Sequence, residues 1–505
     1  MNLSHSFAAS AQRHADKTAL FWGEREYSFA ELLEQALLVS EHLQQRLGVQ
    51  PGDRVGLWLK NCPEFIPSLF GILHAGAVVV PINNFFKPDE VNYILRDAGI
   101  NVLVTDGELG AHLPALSAAR PGLRLFKVEE VQSPESTANS PRSKVQRPKS
   151  SAISGRLSPS DLAVIIYTSG TTGRPKGAML SHANLLHNVE SCRIVLQAVE
   201  GDRFALLLPM FHSYMLTVGI LLPLLVGGSI LLVKSLHPPR NVLQEILQRQ
   251  VTILPAIPQF YRSLVSAPID VRLPLRLCVS GAAPLPAQIL LEFEAKFHIP
   301  LIEGYGLSEA SPVVAKNPLD GTRKPGSIGL PIPHVEMSIQ DESGRELGDK
   351  EIGELCVRGG NVMLGYWQQP EETAKVMRNG WLLTGDVGYR DAQGYYFITD
   401  RKKDMLLVNG INVYPREIEE ILYQFPGVKE AAVVGRPDPR KGEQPIAFVA
   451  ANDGAVLEEK TLQRFIKGRL ADYKVPRQVV LLAALPRNAT GKILKTTLRE
   501  LAVAE

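Results

Sequence analysis

From residue 17 onward, short apolar runs alternate with longer amphipathic stretches. The runs at 17–22 (KTALFW), 54–59 (RVGLWL), 77–81 (AVVVP) and 102–105 (VLVT) have the length and β-branched content of buried strands. Residues 28–47 and 63–75, lying between them, have helical spacing, and Ser28 with Glu31 has the form of a capping box. Strands and helices alternating at these lengths predict an α/β fold with mostly parallel sheets covered by helices. Residues 204–233 contain no Asp, Glu, Lys or Arg and are long enough to be weighed as a membrane span. Pro209, Pro223, His212, Ser213 and Gly227-Gly228 interrupt that run, which favours a strand, a helix and a strand inside a large core.

Two stretches break the alternation. Residues 133–160 are rich in Ser, Pro, Lys and Arg, cannot repay their ordering entropy, and read as a mobile surface loop. After Asp400 the pattern predicts strands at 405–408, 428–435, 444–451 and 478–482 and helices at 415–423 and 461–470. This makes a small α+β domain over 401–505 behind a large multi-subdomain region over 1–400. The charged run at 400–404 (DRKKD) joins them, as a solvated turn or as a hinge.

Composition narrows the function classes. In 505 residues, Lys plus Arg is 54 and Asp plus Glu is 52, a net charge of +2, which leaves no basic footprint for a dedicated nucleic-acid binder. Cys62, Cys192, Cys278 and Cys356 form no CxxC pair, and the histidines show no ligand spacing, so a disulfide scaffold or zinc ribbon is not expected. Residues 1–11 lack the basic and apolar regions of an export signal. A cytoplasmic location is expected, with peripheral contact at a membrane surface left open.

The sharpest local signal is YTSGTTGRPKG at 167–177, directly after an apolar run at 162–166. Small residues let backbone approach a phosphate, hydroxyls and N–H groups donate to its oxygens, and Lys176 supplies a mobile charge. The order of residues is not that of a Walker A loop.

This string resembles the phosphate loop of the adenylate-forming enzymes, the family of acyl-CoA synthetases, coumarate–CoA ligases, firefly luciferase and peptide-synthetase adenylation domains. Further blocks occur in the family's order: LPMFH (208–212), SGAAPL (280–285), YGLSEA (305–310), GELCVRG (353–359), WLLTGD (381–386), DRKKDMLLVNGINVYPREIE (400–419) and LPRNATGKILK (485–495). The resemblance implies a two-step reaction. A carboxylate attacks the α-phosphate of ATP to give an acyl-adenylate and pyrophosphate, and a thiol, usually that of coenzyme A, then displaces AMP.

The resemblance also implies roles. Thr168, Ser169, Gly170, Thr171, Thr172, Gly173 and Lys176 would cradle the phosphates, and Thr168 with Glu309 would hold Mg²⁺. Gly281, Ala282 and Ala283 would pack along the adenine, and Glu303, Gly304, Tyr305 and Ser308 would line the nucleotide. Asp386 would take the ribose hydroxyls, with Arg401 as a second nucleotide contact. Lys492 would bridge the attacking carboxylate and the α-phosphate. Lys403 would be the hinge of a mobile lid, whose turning would bring Asn409, Gly410 and Asn412 to the CoA arm. Lys234 is a further candidate for the CoA phosphates. Coumarate–CoA ligases carry Lys at the positions of Leu407 and Asn409, where this chain departs from them.

Amino-acid-activating relatives keep an Asp where this chain has Phe211-His212, and an unpaired ammonium would be costly there. An apolar acyl group is expected instead, in a pocket of Phe211, His212, Tyr214, Met215 and Val313, with His212 as its gate. A fatty acid comes first and an aryl-propenoate second. The acceptor is CoA or an acyl carrier protein. A luciferase-like oxygenase shares every block, and a nucleotide- or acyl-binding protein without turnover is the non-enzyme alternative.

Overall fold

The computed structural model describes residues 2–130, 157–169, 174–236, 239–269, 271–488 and 491–504. The expected polar loop lies outside the described residues as far as 156, as do Gly170, Thr171, Thr172, Gly173 and the side chain of Ser169.

Among the described residues the apolar runs pair into two large sheets. In the first, Thr18–Trp22, Ser229–Leu232, Arg203–Leu206, Ile253–Ala256, Leu277–Ser280 and Leu301–Gly306 lie parallel in that order. Antiparallel strands flank them, Arg25–Ser28 at one side and Val313–Lys316 at the other. In the second, Leu162–Ser169, Val78–Pro81, Arg54–Leu57, Val102–Thr105 and Arg124–Lys127 are parallel, and Pro175–Ser181 folds back on Leu162–Ser169. Strands such as Ser229–Leu232 and Leu277–Ser280 are buried throughout, as a parallel sheet covered on both faces requires.

The first expected helix starts at its capping box, where Glu31 N–H donates to Ser28 Oγ at 3.1 Å and Ser28 N–H donates to Glu31 Oε2 at 2.6 Å. Past Glu41 the turns widen over His42–Arg46, and the His42 ring stacks on Phe126 at 4.4 Å. The helix Phe65–His74 buries Phe65, Ile66, Leu69, Phe70, Ile72 and Leu73 between neighbours. Each such side chain contributes about 1.5–3 kcal/mol by leaving water.

The charge-free run at 204–233 is core. It holds the strand Arg203–Leu206, the helical turns Met215–Leu221 and Leu222–Val226, and the strand Ser229–Leu232. No helix among the described residues is long and apolar enough to cross a membrane.

Residues 335–401 form an antiparallel sheet of Val335–Gln340, Gly353–Gly359, Trp381–Arg390 and Tyr396–Arg401, which the hydrophobic pattern does not announce. Beyond the turn at 402–404, a last sheet centres on Gly442–Ala451 and Val428–Asp438, packed by the helices Pro415–Tyr423, Glu459–Lys467 and Lys495–Ala504. Polar bonds tie this unit to the helix Pro258–Ser266. Arg262 donates to the Val428 and Lys429 carbonyls, and Gln259 Nε2 donates to Glu430 Oε1 at 3.2 Å.

The hairpin joining Leu301–Gly306 to Val313–Lys316 depends on Gly306, where a Cβ would meet the Pro312 carbonyl oxygen at 2.2 Å. That oxygen belongs to backbone and cannot swing aside. Gly306→Ala is expected to lower stability by about 1–3 kcal/mol, read as a shifted denaturant midpoint; an unchanged midpoint would show that the hairpin relaxes freely.

Candidate active site

A cavity of about 970 Å³ opens between the ends of three sheets and the segment 488–494 of the C-terminal unit. Parallel strands put their carboxyl ends at one rim of a sheet, and ligands of such sheets bind there. Here Val279, Ser280, Gly281 and Ala282 continue one strand end, and Gly304, Tyr305 and Gly306 another. Tyr167 and Thr168 arrive from the second sheet, Thr384, Asp386 and Arg401 from the third, and Asn488 and Lys492 from the C-terminal unit.

One side of the cavity gathers charge. Asp386 is buried, its Oδ2 accepts from the Tyr305 hydroxyl at 2.5 Å, and its Oδ1 faces Arg401 Nε at 3.2 Å. Carboxylate oxygens have lone pairs left after these contacts, so two vicinal hydroxyls find acceptors. Thr168 Oγ1 donates to Glu309 Oε1 at 3.3 Å, and the Tyr366 hydroxyl donates to the same oxygen at 2.9 Å. Lys176 pairs with Glu372, its ammonium 5.3 Å from the centre of the Tyr366 ring. Lys492 and Lys403 line the same space as Arg401. Burial, then the neighbouring Arg401, pushes the Lys492 amine down to about 8, against the pull of Asp386 and Asp404. Burial also lowers Lys403, with Arg401 adding to it.

The other side is apolar. Phe211, Tyr214, Val218 and Val313 line it, and the Tyr214 ring lies against Gly281, where a Cβ would stand 3.0 Å from it. The Tyr214 hydroxyl is committed to the Val279 carbonyl at 3.0 Å. Asn188 clamps Val313 from both ends of its amide, Nδ2 donating to the Val313 carbonyl at 2.7 Å and Oδ1 accepting its N–H at 3.1 Å. His212 stands between the two sides. Its Nδ1 accepts from Tyr214 N–H at 3.3 Å, and burial followed by the charge of Lys492 pushes the ring down to about 4. The imidazole is therefore neutral near pH 7, with its proton on Nε2.

Thr168, Lys176, Gly281, Ala282, Gly304, Tyr305, Ser308, Glu309, Asp386, Arg401, Lys403 and Lys492 thus share one cavity with Phe211, His212, Tyr214 and Val313. Other sequence candidates lie elsewhere. Glu303 does not line the cavity. It is buried behind the strand end, accepting from Leu285 N–H at 3.0 Å with Arg416 3.9 Å away, and burial raises its carboxyl to about 7. Ala283 lies just past the lining residues, and Met215 is packed in the core. Lys234 is exposed and sits over the Trp22 ring at 5.1 Å. Asn409, Gly410 and Asn412 form an exposed hairpin outside the cavity, with Asn409 and Gly410 both at positive φ.

The structure adds residues that the motifs did not single out: Tyr366 on Glu309, Glu372 on Lys176, Asn188 on Val313, and Ser213, whose hydroxyl meets that of Ser308 at 2.9 Å. Lys316 is a further one, buried in the wall beyond Val313. A lysine inside the apolar string VVAKNP was its signal in the sequence. Among the described residues, no three His, Cys, Asp or Glu side chains are grouped to hold a metal.

The electrostatics of Lys492 can be read directly. Competitive labelling of its amine followed by mass spectrometry should titrate with a midpoint near 8, below the ordinary lysine range. A midpoint in the ordinary range would mean that the amine is not desolvated.

Comparison with known proteins extends these observations. Residues 7–367 match the AMP-binding enzyme family and residues 417–492 match the AMP-binding enzyme C-terminal domain. A long-chain-fatty-acid–CoA ligase of Bacillus subtilis (strain 168) is 38% identical, over 97% of this chain and 93% of that protein. A feruloyl-CoA synthase of Amycolatopsis sp. is 35% identical, over 95% of each. The crystal structure of ATP-bound MatB from Rhodopseudomonas palustris superposes with a TM-score of 0.88 at 33% identity, over 99% of both chains. That of the anthranilate CoA ligase AuaEII in complex with anthranoyl-AMP gives 0.89 at 30%, over 100% of this chain and 98% of that one. Ordered motifs, a shared fold and two family matches along most of its length agree: the chain belongs to the AMP-binding, adenylate-forming enzymes.

Proposed function

We propose that this chain is an AMP-forming acid–CoA ligase, and that its acid is a fatty acid. The observation that carries the reading is the convergence of Lys492 with Asp386, Arg401 and the Thr168–Glu309 pair on one cavity whose other side is apolar. Relatives named long-chain-fatty-acid–CoA ligase support the acid, and the commitment of the Tyr214 hydroxyl to Val279 favours an alkyl chain over a phenolic ring.

In the first step a substrate carboxylate oxygen bonds to the α-phosphorus of ATP as the bond to the pyrophosphate oxygen breaks. Both partners are anions, so cations and donors must already be in place. Lys492 reaches the carboxylate and the α-phosphate together. Asp386 and Arg401 hold the ribose side, with Gly281 and Ala282 against the adenine. Lys176 turns from Glu372 to the outer phosphates, a role it would share with Ser169, Gly170, Thr171, Thr172 and Gly173. His212, neutral and carrying its proton on Nε2, closes the mouth of the acyl pocket. Thr168 and Glu309 present a hydroxyl and a carboxylate oxygen side by side, a donor set that fits Mg²⁺, an ion that keeps waters and phosphate oxygens as its other ligands. Bound there, Mg²⁺ would neutralise phosphate charge.

In the second step the CoA sulfur bonds to the acyl carbon, AMP leaves with the bonding electrons, and the thiol proton goes to solvent. Residues 401–505 act as a lid turning at Lys403. Lys492 leaves the cleft and the hairpin Asn409–Gly410–Asn412 enters it, Gly410 letting the pantetheine arm pass.

The two halves can be separated. Lys492→Ala is expected to lower acid-dependent ATP–pyrophosphate exchange by at least about a hundredfold while sparing thioester formation from supplied acyl-AMP and CoA. Equal loss of both half-reactions would remove the assigned role of Lys492, and absence of exchange in the wild type with every acid would remove the function.

A further inference from the structure

Lys316 ends the strand Val313–Lys316 and contributes to the wall of the cavity. The antiparallel register sets Val313 beside Gly306 and Lys316 beside Gly304, so Lys316 lies on the side away from Ser308 and Glu309. Three residues at ~3.3 Å each place it roughly 10 Å along the strand from Val313. The residue is 5% exposed, and its ammonium donates to the Val195 carbonyl in the last turn of the helix His182–Leu196. Cys192, Val195 and Leu196 of that turn line the same cavity.

Capping a helix carbonyl is the ordinary employment of a lysine here. It does not account for the whole group. An ammonium has three N–H donors, and the Val195 carbonyl takes one. Arg276, which binds the Leu196 carbonyl beside it, has Asp202 as counter-ion at 2.6 Å. Lys316 forms no ion pair among the described residues. Burial pushes its amine down to about 7, with Cys192, Arg276 and Asp320 as the charged or titratable groups around it. A cation held in an apolar wall with no carboxylate in direct contact is costly, and an anion that enters the cavity relieves that cost.

We propose that Lys316 is the distal recognition point of the acyl pocket, and that the preferred acid carries a second carboxylate at its far end. The inference rests on the acid–CoA ligase reading above and refines its substrate from a plain fatty acid to an α,ω-dicarboxylic acid of intermediate length. One carboxylate meets Lys492 and the α-phosphate. The methylene body lies against Tyr214, Val218 and Val313, and the second carboxylate takes the free donors of Lys316.

The test is CoA-dependent AMP release by the full chain with matched acids of equal carbon count: hexanoate and adipate, octanoate and suberate, decanoate and sebacate, dodecanoate and dodecanedioate. At one length at least, kcat/KM for the diacid should exceed that for the monoacid by about tenfold or more. Lys316→Met should lower that ratio by about tenfold, through KM more than kcat. A wild-type preference for the monoacid at every length would overturn the proposal, and so would a ratio unchanged in Lys316→Met, which would leave Lys316 as a helix cap alone. Should thermal melting show that Lys316→Met does not fold, the wild-type ratio decides. Absence of CoA-dependent AMP release with both series would be a different failure, removing the ligase reading and this inference with it.

Discussion

An ammonium held in a poorly hydrated cleft is the constraint on which the rest of this site depends. Joining a carboxylate to a triphosphate brings anions together, and only fixed cations lower that barrier without waiting for solvent to reorganise. Fixed cations out of water are themselves unstable. Lys492 shows the compromise: burial and Arg401 push its amine down, while Asp386 and Asp404 hold it up. Arg401 is steadied by Asp386, which is in turn bonded by Tyr305. The charges form a chain in which each group offsets part of its neighbour's cost.

The scaffold shows how such a chain is assembled. Tyr305, Thr168 and Asp386 come from three sheets with deep apolar cores, so their positions are set by packing. Lys492 comes from the small unit, which meets the helix Pro258–Ser266 through hydrogen bonds from Arg262 and Gln259. Hydrogen bonds of this kind exchange for water at modest net cost, about 0.5–1.5 kcal/mol each. The proposed turning of the small unit at Lys403 would leave the apolar core of that unit intact.

Much of this was legible in the sequence, and the reasons differ by element. The parallel strands declared themselves because burial on both faces leaves uninterrupted apolar runs, as in 102–105 and 229–232. The helix at 415–423 was readable from its amphipathic spacing to the residue. The antiparallel sheet over 335–401 was not, because strands such as Trp381–Arg390 are half-buried and mix Thr, Gly and Asp with apolar residues. Among site residues, many of those in ordered blocks converge on the cavity while Asn409, Gly410 and Asn412 do not, and a block does not say which way a side chain points. Glu303 and Tyr305 are two apart on one strand; Glu303 turns to Leu285 and Arg416 behind the strand end, and Tyr305 turns to Asp386 in the cavity. Tyr366 and Asn188 were invisible for another reason: their importance lies in partners 57 and 125 residues away.

One cavity thus serves both half-reactions, first making an acyl-adenylate and then passing the acyl group to CoA. This is tested most directly by following AMP and pyrophosphate release with ATP and Mg²⁺ across acids from acetate to long-chain, aryl and amino acids, each with and without CoA. CoA-dependent AMP release should be strongest with an acid having an alkyl body and negligible with amino acids. Acid-dependent pyrophosphate release without CoA-dependent AMP release would contradict it, since the adenylate would then be made for another acceptor.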